Sequence, residues 1–155
     1  MKPNFSTLAI AAALAGTVSP ALADGHAGTM GYALAEDGST LVTMADIAMP
    51  GDVKTLALET PLRAIAYRPV TGQLLGFADG MLYEVIPTTG AMNNLNATFM
   101  DDAKIADGAV AFDFNNKIDA VRAVGADGSN LVYFPDGFGD GDERANSVRR
   151  FTDAF

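Results

Sequence analysis

The segment "VAFDFNNKIDAVRAV", Val110 to Val124, sets two carboxylates and an arginine on an apolar background: Asp113, Asp119 and Arg122. Two carboxyl groups flanking a glycosidic bond can supply the acid and the nucleophile or base of glycoside hydrolysis. The same residues also fit a structural role. A turn centred near Lys117 brings Asp113 opposite Arg122 across a hairpin, and a charged pair on an apolar sheet fixes register at little net gain in stability. Asp113 and Arg122 are therefore expected to form a structural pair. The catalytic alternative, a glycoside hydrolase or lyase, requires Asp113, Asp119 and Glu84 to line one open pocket, unpaired with Arg68 or Arg122. Glu59, Arg68 and Glu84 otherwise read as surface charges.

A second acidic group lies in "PDGFGDGDE", where Asp136, Asp140, Asp142 and Glu143 alternate with glycine. Calcium takes several carboxylate and carbonyl oxygens on a flexible turn, so Asp136, Asp140 and Asp142 are candidate calcium ligands. The spacing is not that of an EF-hand, and a solvated acidic loop is the competing reading. Asp101, Asp102 and Asp107 form a weaker cluster of the same kind. Otherwise no cofactor is expected. His26 is the sole histidine and cysteine is absent, which removes the usual base of Ser-His-Asp and Cys-His catalysis and the preferred ligands of zinc and copper. The negative charge of "GDGDE" has the wrong sign for a phosphate cradle. Tyr32, Tyr67, Tyr83, Tyr133 and Phe134 could line a carbohydrate-binding face, although strand placement favours the core.

The elements that must position these residues repeat along the chain. "AEDGSTLVTM", "FADGMLYEVI" and "GADGSNLVYF" each place Asp-Gly before an apolar strand, beginning at Asp37, Asp79 and Asp127, 42 and 48 residues apart. Asp-Gly is a strong hairpin turn because these residues tolerate positive φ. Upstream of the last two, "AIAYRPVTGQLLGF" aligns with "VAFDFNNKIDAVRAV", setting Tyr67 against Phe114 and Leu74 against Val121. A period in the forties with several strands per unit belongs to propeller blades. The expected fold is all-β: antiparallel repeats, propeller-like, incomplete at about two and a half blades, with a short C-terminal helix in "ANSVRRFTDAF". The ring is then completed by self-association with other copies, or the sheet is open, or the chain is part of a longer domain.

At "AYRPVTGQLLGF", "LYEVIPTTGAM", "VAFDFNNKIDAVRAV" and "SNLVYF" the chain resembles a family of exported bacterial proteins carrying domain of unknown function 4394. The resemblance runs from about Gly31 to Phe134. It implies a repeated β-domain of propeller-like character and no particular activity. Domains of this family generally continue beyond the segment equivalent to "SNLVYFPDG", and the acidic, glycine-rich stretch after it departs from their pattern.

The ends and the composition complete the reading. Lys2, the apolar run "LAIAAALA" and the small residues Ala21 and Ala23 make residues 1–23 a signal peptide cleaved after Ala23, which places the protein in the periplasm or the medium. Residues 24–30 read as a flexible glycine-rich tail, 31–134 as the β-repeat domain, and 135–155 as an acidic loop and C-terminal tail. The apolar run is too short and interrupted to remain as a membrane span. With 19 acidic against 10 basic residues, a net charge of −9, the surface repels nucleic acid and anionic lipid. The expected function is that of an exported non-catalytic structural or binding module for an unknown ligand or protein partner.

Overall fold

The computed structural model describes residues 28–152. The expected leader, the beginning of the tail and His26 lie outside the described residues. Twelve strands are present among the described residues and no helix. The first sheet contains β1 (Gly31–Leu34), β2 (Thr40–Met44) and β3 (Val53–Ala57). The second contains β4 (Ala64–Arg68), β5 (Gln73–Ala78), β6 (Met81–Val85) and β7 (Met92–Asn94) in that order. The third contains β8 (Thr98–Phe99), β9 (Val110–Asn115), β10 (Ala120–Gly125), β11 (Asn130–Phe134) and β12 (Ser147–Arg150), in the order β8-β12-β11-β10-β9. All neighbouring strands are antiparallel except β8, which runs parallel to β12.

The repeat seen in the sequence is a repeat of structure. Asp37-Gly38, Asp79-Gly80 and Asp127-Gly128 turn β1 into β2, β5 into β6 and β10 into β11, with glycine φ values of 70°, 70° and 84°. Asp37 and Asp127 each accept hydrogen bonds from the backbone amide and the hydroxyl of the serine two residues on. Those bonds lower both carboxyl pKa values. Thus β5 and β10 are equivalent to β1, and β4 and β9 are equivalent first strands that pair with them.

Strand alternation divides the core. On one face of the second sheet, Leu74, Ala78, Tyr83 and Val85 pack with Leu41, Leu58 and Leu62 from the first sheet and its connection. On the other face, Leu75, Phe77 and Leu82 pack with Phe112, Phe114, Val121, Leu131 and Val148 of the third. Gly76 permits this spacing, because a Cβ there would come within 2.5 Å of the Leu62 side chain. The second sheet is therefore apolar on both faces and sandwiched.

The C-terminal helix expected in "ANSVRRFTDAF" is absent from the described part of that segment. Ser147–Arg150 is the strand β12, paired with both β11 and β8. Two features decide this. Val148 is buried in the core between the second and third sheets, and Asn146, just before the strand, adopts the left-handed backbone at φ 51°. The Asn146 side chain donates to the carbonyls of Leu95 and Asn96 and accepts from the Tyr133 hydroxyl. The third sheet consequently continues past Phe134, and the chain between Pro135 and Asn146 is a connection within it.

Candidate functional site

The charges legible in the sequence form different partnerships from those expected. Arg68, at the end of β4, donates from Nε to Asp119 at 2.9 Å and approaches its other carboxylate oxygen at 2.5 Å. Asp119 occupies the turn between β9 and β10 at φ 49°, so the pair bridges the second and third sheets. The Arg68 and Asp119 side chains are 11% and 24% exposed. The Asp119 carboxylate, chiefly through its hydrogen bond, raises the Arg68 pKa. Arg68 also donates to the Gln73 side-chain oxygen, and Gln73 donates to Glu84 at 3.1 Å. Arg68 is therefore a half-buried bridge and not a solvated charge.

Asp113 and Arg122 are cross-strand partners in register, yet no ion pair joins them among the described residues. The exposed Asp113 carboxylate accepts from the Phe114 amide. Arg122 lies over the Phe151 ring, 3.7 Å from its centroid. Both line a shallow depression of about 310 Å³ on the outer face of the third sheet. Asp119 engages Arg68 on the opposite side of that sheet, so Asp113 and Asp119 do not flank a common space.

The acidic loop does not gather its carboxylates either. Arg144 grips Asp142 through Nε at 2.9 Å and a terminal nitrogen at 2.7 Å, with its own amide adding a third hydrogen bond. These bonds lower the Asp142 carboxyl pKa to about 2. Asp136 and Asp140 are exposed. Among the described residues no three histidine, cysteine or acidic side chains are grouped to hold a metal, Asp101, Asp102 and Asp107 included. Of the three carboxylates expected as calcium ligands, Asp142 is thus held by Arg144.

At the other end of β4, Arg63 makes a second bridge between sheets. It pairs with Asp79 at 2.6 Å, donates to the carbonyls of Ala106 and Gly108, and lies over Phe77. Sequence reasoning did not single out Arg63. Its position just before a first strand, aligned with no charge in the third repeat, was the available signal.

Of the five aromatics considered for a ligand face, Tyr83, Tyr133 and Phe134 are buried. Burial raises the Tyr133 phenol pKa. Tyr32 and Tyr67 remain accessible and stack with centroids 6.4 Å apart. They line an open groove of about 540 Å³ between β1 and β4, together with Met30, Ile65, Ala66 and Leu74.

These features define an all-β protein of repeated antiparallel sheets in which Arg63 and Arg68 tie the second sheet to the third. The chain belongs to the family defined by a domain of unknown function (DUF4394), which matches residues 39–146. No curated protein and no solved structure matches it. Among the described residues, no helix is long and apolar enough to cross a membrane.

Proposed function

We propose that this chain is an exported, non-catalytic β-repeat module that acts by binding or by scaffolding, with its sheets set radially as in a propeller. The radial reading rests on β4 and β9, equivalent first strands that lie against each other between successive sheets. The observation that carries the non-catalytic reading is the two-point grip of Arg68 on Asp119. It uses the carboxylate that a glycosidase would need free and commits it to joining sheets. Glu84 is likewise engaged by Gln73.

Export and catalysis are tested together. N-terminal sequencing of protein from the periplasm or medium should return Asp24, whereas Met1 on cytoplasmic protein would sink the export reading. A panel of polysaccharides and aryl glycosides should show no turnover above background. Turnover abolished in Asp119→Asn with the fold preserved would replace the module by a carboxylate enzyme.

A further inference from the structure

The groove beside Tyr67 has an internal counterpart that identifies what fits it. In the second and third sheets, the strand leading into the Asp-Gly turn pairs on its other side with a first strand, β4 on β5 and β9 on β10. In the first sheet the equivalent strand is β1, and among the described residues it ends the sheet. The Ala35 amide bonds to the Thr40 carbonyl. By antiparallel alternation, the backbone groups of Tyr32 and Leu34 then point to the free edge.

Side chains tell the same story. Tyr67 and Phe114 occupy the same place in β4 and β9 and face the preceding sheet. Phe114 is 7% exposed, because the first strand of the second sheet lies beside it, whereas Tyr67 is 49% exposed. An exposed polypeptide edge next to an apolar trough is the arrangement that β-augmentation uses: backbone bonds to the edge, alternate side chains in the trough.

We propose that the β1–β4 groove captures an extended strand of another polypeptide, pairing with Tyr32 and Leu34 and laying alternate apolar side chains on Tyr67 and Ile65. This deepens the binding-module reading and rests on it. The chemistry of the guest is that of the strands that fill the equivalent places, "AIAYR" and "VAFDF": apolar residues at alternate positions and an aromatic near one end. The chain's own preceding residues do not have it. Four residues separate β4 from β5 and β9 from β10, and the same spacing before β1 falls on "LADGH". A second copy has its own β4 and β9 already paired within sheets.

The test uses synthetic peptides with the sequences of residues 63–69 and 109–116, added to the purified chain. Saturable binding is expected, with slowed hydrogen exchange at the Tyr32 and Leu34 amides. Tyr67→Glu, which puts a charge in the trough at an already accessible position, should weaken binding at least about tenfold. Leu34→Pro removes one edge donor and should do the same; the Tyr67 variant still decides if Leu34→Pro fails to fold. Absence of binding would overturn the proposal, as would equal binding of scrambled peptides or of peptides N-methylated at alternate residues. So would preference for an oligosaccharide. Tyr32 and Leu34 amides already protected in the monomer would assign the groove to residues 1–27, and protection appearing only with dimerisation would assign it to a second copy; either result overturns it. Failed capture leaves the non-catalytic reading standing, whereas carboxylate-dependent turnover would remove that reading without touching the groove.

Discussion

The two junctions of the second sheet are built to different standards. Toward the third sheet, Phe77 and Phe112 rings meet at 5.7 Å within a continuous apolar layer. Arg63 and Arg68 clamp that layer from either end of β4. Toward the first sheet, Leu41, Leu58, Leu62 and Leu74 fill the centre. No ion pair spans that junction among the described residues, and its β4 side opens into the Tyr32–Tyr67 groove. The comparison shows that the strand does not determine its own burial. Tyr67 and Phe114 have the same place in equivalent strands, and what lies beside the neighbouring sheet makes one accessible and the other core.

Truncation should separate the junctions most sharply. Phe77→Ala removes a fully buried ring and should destabilise the fold by about 3–5 kcal/mol. Tyr67→Ala removes a ring that water already reaches and should change stability by less than about 1 kcal/mol. Urea titrations of both variants measure the contrast. Equal losses would mean that the groove is closed in solution, and the comparison would break.

The clamps come next in size. Arg68→Met leaves Asp119 half-buried and without its partner, a loss of about 1–3 kcal/mol. Converting both, as Arg68→Met/Asp119→Leu, should recover much of it, because paired apolar groups need no solvation. A double-mutant cycle gives the coupling directly. A cycle showing no coupling would reduce this bridge to a surface contact and make the two junctions alike.

The uneven legibility of the molecule in its sequence has the same origin. Asp-Gly turns and period-two apolar strands are local, so the repeat, the hairpin register of Asp113 with Arg122, and the all-β class could be read directly. Charge partners are not local. Arg68 meets Asp119 only because two sheets stack, and Arg63 reaches the Ala106 and Gly108 carbonyls by the same stacking. Across the hairpin, Arg122 finds Phe151 instead of Asp113, since its guanidinium can lie flat on a ring supplied by the chain's return. The helix expected in "ANSVRRFTDAF" failed for a related reason. "SVRR" offers no strong periodicity, and its state is set by the edges of β11 and β8, which the local sequence does not reveal.

The smallest effect belongs to the acidic loop, where Asp142 pairs locally with Arg144. Asp142 has its pKa lowered to about 2 by the Arg144 guanidinium and amide. An unperturbed aspartate titrates near about 3.9. A carboxyl held below its unfolded value contributes stability above that unfolded value and loses it as pH falls through the folded one. The melting temperature should therefore be insensitive to this group from neutral pH down to about 5 and should decline between about 4 and 2. Asp37 and Asp127, lowered by Ser39 and Ser129, act in the same direction. Arg144→Ala should return the Asp142 carboxyl toward its ordinary range, read by carbon NMR, and shrink the acid dependence only modestly because the pair is solvated and screened. The same variant separates arginine pairing from ion binding. Melts in millimolar calcium, magnesium or chelator should overlap for the parent chain, since Arg144 already neutralises the carboxylate a cation would use. A calcium-specific rise, lost in Asp140→Asn/Asp142→Asn, would show that the loop rearranges around an ion, and the Arg144 contact would then be the weaker of two competing states.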